Sequence, residues 1–188
     1  MRIALLSLLL FCVAGVARAA EPPQWTVDQA HSALTFTVGV NGQTVKGRFP
    51  GIGALIRFDP ANLAQSSVKA TIDTTGIKTF DATRDAMLLK PAWFNVLDFP
   101  QAKFESVSFT ANGPNRYICN GKLSIKGNVR DISLPFTLAI KGNTAVMSGE
   151  TTLRRLDFHV GDAADYQTET PVSLSVKVMV NIRAIRSR

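Results

Sequence analysis

The sequence predicts an all-β protein: a closed antiparallel barrel of about eight strands with a short helix and loop insertion. Three observations carry that expectation. Beyond Pro22-Pro23, apolar and polar residues alternate with a period of two along most of the chain, which is the pattern of strands with one buried face. Tight-turn pairs at Asn41-Gly42, Gly127-Asn128 and Gly142-Asn143 separate successive runs, as hairpins require. The last run keeps Val172, Leu174, Val176, Val178, Val180, Ile182 and Ala184 on one face over thirteen residues. Long one-sided strands suit a sheet curled around one interior, which leaves no open edge.

The chain starts with an address rather than a structural element. Arg2 is followed by the apolar run Ile3 to Val16, and Ala17-Arg18-Ala19 places small residues where a signal peptidase reads. That run is shorter than the roughly 20 residues that cross a bilayer. The expectation is a cleaved signal peptide over residues 1–19 and a single domain over residues 20–188. Of 188 residues, 46% are hydrophobic, enough to build a core and to exclude wholesale disorder.

Within the domain, Leu34, Phe36, Val38 and Val40 alternate with Ala33, Thr35, Thr37 and Gly39. Val45 to Phe49 returns after the Asn41-Gly42 turn, and Gly51-Ile52-Gly53 reads as a bend or bulge within a strand. Val68, Ala70 and Ile72 mark the next strand, and Phe104 to Phe109 another. Tyr117–Lys126 pairs with Val129–Ile140, where Ile132, Leu134, Phe136, Leu138 and Ile140 share a face. Thr144 to Leu153 then precedes the final strand. One segment breaks the pattern: Thr83 to Leu89 holds helix formers, with Asp81 or Thr83 to cap it and Lys90-Pro91 to end it. Thr83 to Val96 is expected to lie over or beside the barrel mouth.

Catalytic patterns are absent from the sequence. His31 and His159 are its two histidines, with no metal-ligand spacing, nucleophile elbow, phosphate loop or dinucleotide fingerprint. His31 and Ser32, read as neighbours on a strand, point to opposite faces and make no nucleophile–base pair. Arg84-Asp85 and Arg154-Arg155-x-Asp157 read as ion pairs or backbone-bonding groups. The expectation is therefore no enzyme, no metal and no cofactor. Cys119 is the one cysteine after the expected cleavage site and reads as a small buried hydrophobe. Loss of Arg2 and Arg18 lowers the formal charge from +7 to +5. These charges are scattered, which disfavours nucleic acid and is compatible with transient contact at an anionic membrane surface.

Several motifs carry a resemblance. Trp25-Thr26-Val27-Asp28-x-x-His31-Ser32, Phe36-Thr37-Val38 and Val45-Lys46-Gly47-Arg48-Phe49 resemble the opening of YceI-like proteins. Arg84-Asp85-x-x-Leu88, Trp93-Phe94-Asn95-Val96 and Phe99-Pro100-x-x-Lys103-Phe104-x-Ser106 resemble that family's middle, and Gly121-Lys122-Leu123-Ser124-Ile125-Lys126-Gly127 its hairpin. Arg155-x-Asp157-Phe158 and the final strand complete the likeness over the whole domain. The resemblance implies a lipocalin-like eight-stranded barrel in the periplasm, often a dimer, that holds polyisoprenoids or other long amphiphiles and has no catalytic residues. Three positions depart from it. Gly39-Val40-Asn41-Gly42 lacks a histidine common after Phe-Thr-Val, Met87 replaces another, and His159 stands where a glycine is common.

The resulting expectation is a carrier or sequestering protein. Phe36, Val38, Phe49, Phe104, Leu123, Leu134, Phe136, Val176 and Val178 would line its cavity, with Trp93 and Phe94 over the mouth. His31, Arg84, Asp85 and Arg155 are candidates to hold a polar headgroup. The alternative is a filled barrel that acts through its surface or its basic tail as a periplasmic stress or interaction protein.

Overall fold

Residues 21–187 are described by the structure, a computed structural model; the expected signal peptide at 1–19 lies outside them. The strands run β1 (Gln24–Val27), β2 (Ala33–Val40), β3 (Gln43–Phe49), β4 (Ile52–Arg57), β5 (Ser67–Asp73), β6 (Gln101–Ala111), β7 (Arg116–Ile125), β8 (Asn128–Lys141), β9 (Thr144–Arg154) and β10 (Val172–Arg186), with helix α1 (Ala82–Leu88) between β5 and β6. All strand pairings are antiparallel, in the order β1-β4-β5-β6-β7-β8-β9-β10, and β1 closes the ring on β10. β2 and β3 extend β1 and β4: β2 pairs with β10 beside β1, and β3 pairs with β2. The ten segments thus occupy eight positions around a closed all-β barrel with one short helix.

Two breaks in the wall follow from local sequence. Between β1 and β2 the chain makes a 3₁₀ turn at Gln29–His31. His31 is consequently not on a strand, and the opposite-faces argument for His31 and Ser32 does not apply. The chemistry of the pair is set by other partners: His31 Nδ1 meets Asp28 Oδ2 at 2.8 Å, while Ser32 Oγ donates to the Arg183 carbonyl at 3.2 Å and accepts from the Arg183 N–H at 3.0 Å. Between β3 and β4 the bend falls at Pro50-Gly51.

β3 meets the crossing segment after β5 through Arg48 and Lys78, whose N–H and C=O groups exchange bonds of 2.8 and 2.9 Å. That segment leads into α1. Asp81 caps the helix by accepting from the Arg84 N–H at 2.9 Å, so the helix starts at Ala82. It ends at Leu88, one residue before the expected end.

The other end segment is organised by Arg155, which is 4% exposed. It opens a 3₁₀ turn, Arg155–Phe158, after β9. Its Nε donates to the Ser173 carbonyl (3.1 Å), Nη1 to Val160 (3.1 Å) and Gly161 (2.7 Å), and Nη2 to Val172 (2.9 Å), Thr168 (3.4 Å) and Tyr166. Five N–H donors on a rigid plane suit a set of converging carbonyls. Burial draws the Arg155 pKa down, while the Glu169 charge opposes that shift. The connection from β9 to β10 is thereby wound around one side chain.

Arg155→Met should leave several buried carbonyls without donors and lower stability by about 3 kcal/mol or more, read by urea unfolding. His159 ends the same turn at φ 53°, a left-handed conformation in which a side chain is disfavoured. His159→Gly should raise stability by about 0.5–1 kcal/mol, visible as a higher unfolding midpoint.

Candidate ligand cavity

The barrel encloses a cavity of about 310 Å³. Inward-facing residues of alternating strands make its wall, and its two ends are built differently. At the end where β10 finishes and β9 begins, Trp25, Phe58, Phe109, Cys119, Leu134, Phe136, Ala145 and Ala184 form one buried cluster. Phe58 meets Phe109, Tyr117 and Phe136 edge-on at 5.2, 5.6 and 6.1 Å between ring centres, a favourable geometry for aromatic pairs. Trp25 Nε1 donates to the Phe58 carbonyl at 3.0 Å and fixes this plug.

At the other end α1 and the loops on either side of it form a cap. Ile77, Leu88, Trp93 and Phe94 face the cavity from this cap, and Phe158 and Val160 from the Arg155 turn. The two segments are tied together: Gly161 N–H donates to the Ala92 carbonyl at 2.7 Å, and Trp93 packs edge-on against Tyr166 at 5.2 Å. Gly161 has φ 68°, and a Cβ there would lie 2.9 Å from both Trp93 and Arg155 Nη1. Only glycine allows this approach.

Openness of the interior depends on where the rings lie. A Cβ at Gly47 would fall 2.2 Å from the Phe36 ring, and one at Gly121 would fall 2.5 Å from the Phe104 ring. Both phenyl groups therefore take up the space a side chain would fill at a glycine of the next strand.

The structure places Phe36, Val38, Phe49, Trp93, Phe94, Phe104, Leu123, Leu134, Phe136, Val176 and Val178 all on the cavity wall. It adds Trp25, Phe58, Ile77, Leu88, Phe109 and Phe158, which the alternation did not mark. Phe109 escapes it because the register shifts between Ser106 and Ser108. Leu174, expected on the inward face of β10, is not on the wall. A register shift between Val172 and Val176 displaces it, and its N–H is bonded by Glu169 Oε2 at 3.0 Å.

The four headgroup candidates are not gathered into one site. His31 is exposed beside Asp28, away from the wall. Arg84 and Asp85 do not bind each other but converge on Thr79. Asp85 Oδ1 accepts from the Thr79 N–H at 2.6 Å and its hydroxyl at 2.7 Å, while Arg84 Nε donates to that hydroxyl oxygen at 3.0 Å. The Thr79 hydroxyl chiefly holds the Asp85 pKa below its ordinary value, against a smaller opposing effect of burial. Arg155 alone borders the cavity, and its N–H groups are engaged by carbonyls.

Other polar wall groups are also occupied. Thr151 Oγ1 donates to the Ser133 carbonyl at 3.0 Å, and the Trp25 indole N–H is bound as described. Cys119 is buried, and its thiol is pushed up to about 12 by desolvation, so it remains protonated and unreactive at neutral pH. Among the described residues no group of histidine, cysteine or acidic side chains could hold a metal ion. Chemically, the arrangement can take apolar surface out of water.

Comparison with known proteins gives concordant results. The YceI-like domain matches residues 25–184. A UPF0312 protein of Pseudomonas paraeruginosa is 30% identical over 182 residues, covering 92% of this chain and 91% of the relative. Among solved structures, Burkholderia cenocepacia BcnA superposes with a TM-score of 0.80 at 29% identity, covering 84% of this chain and 99% of that one. A polyisoprenoid binding domain from Saccharophagus degradans has the same fold, with a TM-score of 0.68 at 12% identity, covering 88% of this chain and 99% of that domain. The match spans the barrel from Trp25, which plugs one end, to Ala184 near the end of β10, and the chain belongs to the YceI-like domain family.

Proposed function

We propose that this protein is an exported periplasmic carrier that holds a long-chain isoprenoid or similar amphiphilic lipid without chemically altering it. The observation that carries the reading is the apolar-walled cavity: about 310 Å³, within the usual range for ligand sites, with its polar wall groups already bonded to the protein. A hydrocarbon chain entering it would be stabilised by about 25 cal/mol for each Å² removed from water, less the cost of ordering the chain. The polyisoprenoid binding of the Saccharophagus neighbour supports the same ligand class.

A filled barrel acting only through its surface would leave no such space, whereas the wall residues surround about 310 Å³. Partners in this reading are the lipid and, following the family resemblance, a second copy of the chain; nucleic acid has no part in it.

The test is native purification from the periplasm, organic extraction and mass spectrometry, with a refolded, delipidated sample as control. One long-chain species at stoichiometric amount is expected, and stripping it should lower the melting temperature. Val176→Phe, which places a ring into the lumen, should reduce lipid recovery at least tenfold while the barrel still folds. An empty extract together with no uptake of a fluorescent lipid analogue would overturn the proposal.

A further inference from the structure

Phe80 stands out against the economy of the barrel. It is 74% exposed and has φ 63°, a conformation that is a genuine outlier for a bulky residue. Neighbours on both sides hold it there. Thr79 is buried and clamped by Asp85 and Arg84, and Asp81 caps α1. Strained backbone persists only where its surroundings over-determine it. Here the result is a phenyl group turned into water, and the interior gains nothing from it.

A second apolar group is presented by the same cap. Leu97 is 91% exposed at a turn closed by bonds from the Asp98 and Phe99 N–H groups to the Asn95 carbonyl, at 3.1 and 2.8 Å. Val96 N–H donates to the Leu89 carbonyl at 3.2 Å, which ties this turn to the end of α1. Leu89 and Phe80 share a groove of about 350 Å³ on the outer side of the helix. The cap thus has two apolar sides: Trp93, Phe94 and Leu88 face the cavity, while Phe80 and Leu97 face out.

Cations accompany the outer side. The Arg48 guanidinium lies 5.9 Å from the Phe80 ring centre, and Lys90 is exposed in the same cap. The cap's acidic groups are turned onto its own donors: Asp81 onto the Arg84 N–H, Asp85 onto Thr79 and, at 3.7 Å, the Lys78 ammonium, and Asp98 onto Asn95 Nδ2 at 2.9 Å. Apolar prongs with cations at their base match a bilayer interface, where rings enter the acyl boundary and cations stay at the phosphates.

The geometry points to the outer side of the cap as the surface that docks this protein on an anionic lipid bilayer, with Phe80 and Leu97 inserted and Arg48 and Lys90 on the headgroups. The purpose of the contact rests on the lipid-carrier reading, since it sets the cap of the cavity against the source or destination of its cargo. Its measurement does not.

Cosedimentation with vesicles of equimolar phosphatidylglycerol and phosphatidylethanolamine tests it. Wild-type protein should bind, more weakly as salt rises or when phosphatidylcholine replaces the anionic lipid. Phe80→Gly should lower partitioning about tenfold, with Leu97→Ser lowering it further, while the melting temperature holds or rises because glycine relieves the strained φ. Uptake of a fluorescent lipid analogue from solution, measured separately, should be unchanged in both variants. Wild type that ignores anionic vesicles, or Phe80→Gly that binds them equally well, would overturn the docking surface. So would a variant that only converts a dimer to a monomer, because the face would then join two copies of the chain. Vesicle binding without solution uptake would sink the carrier reading and leave docking in place.

Discussion

Closure at β10 is the constraint on which the rest of the structure depends. One edge of this fifteen-residue strand pairs with β9 from Ser175 to Ile185, and the other takes β2 and then β1. An open sheet of this length would expose a row of unpaired amides and carbonyls. A closed one confines its inward residues to one dry space. The 3₁₀ turn at Gln29–His31 and the bend at Pro50-Gly51 let one wall position be shared by two segments. The free edge of β3 then takes a bridge from the segment after β5, between Arg48 and Lys78.

Polar residues in the sequence motifs serve that architecture. Arg155 has the residue type that reads as an anion receptor, yet its donors are directed at six carbonyls of the connection from β9 to β10. Arg84 and Asp85 hold Thr79, and Asp28 engages His31 with Arg183 Nε at 3.7 Å. A buried guanidinium without a partner would be very costly, so the fold bonds it completely. The motif thus preserves a scaffold, and the ligand-facing surface is made of apolar side chains with no signature of their own.

Much of the barrel was legible because its strands obey a period of two. Residues such as Phe36, Val38, Leu134, Phe136, Val176 and Val178 could be assigned to the interior from alternation alone. The failures have local causes. Phe104 and Phe109 differ by an odd number and yet both face inward, because the bulge turns Val107 out to 66% exposure. Leu174 has the right parity and still misses the wall, where β10 is irregular. β1 is four residues long and contains too few alternations to declare itself. His31 misled because β2 begins two residues after it, at Ala33, and the partner that sets the place of Ser32, the Arg183 backbone, is distant in sequence. The role of Arg155 depends on carbonyls from Val160 to Ser173, which no spacing rule brings to one point.

A dry wall also selects its contents. A hydroxyl or carboxylate drawn past the cap would lose water without gaining a donor or acceptor, since Arg155, Thr151 and Trp25 are already bonded; such desolvation costs about 1–3 kcal/mol for a neutral group and more for a charged one. A saturated or isoprenoid chain incurs no such penalty. Met87 packs beside the cap, and its sulfur lies 3.8 Å from the Tyr166 hydroxyl. In the carrier reading, selectivity therefore arises from what the wall withholds: it offers contact area to hydrocarbon, while its side-chain polar groups, Arg155, Thr151 and Trp25, are already bonded.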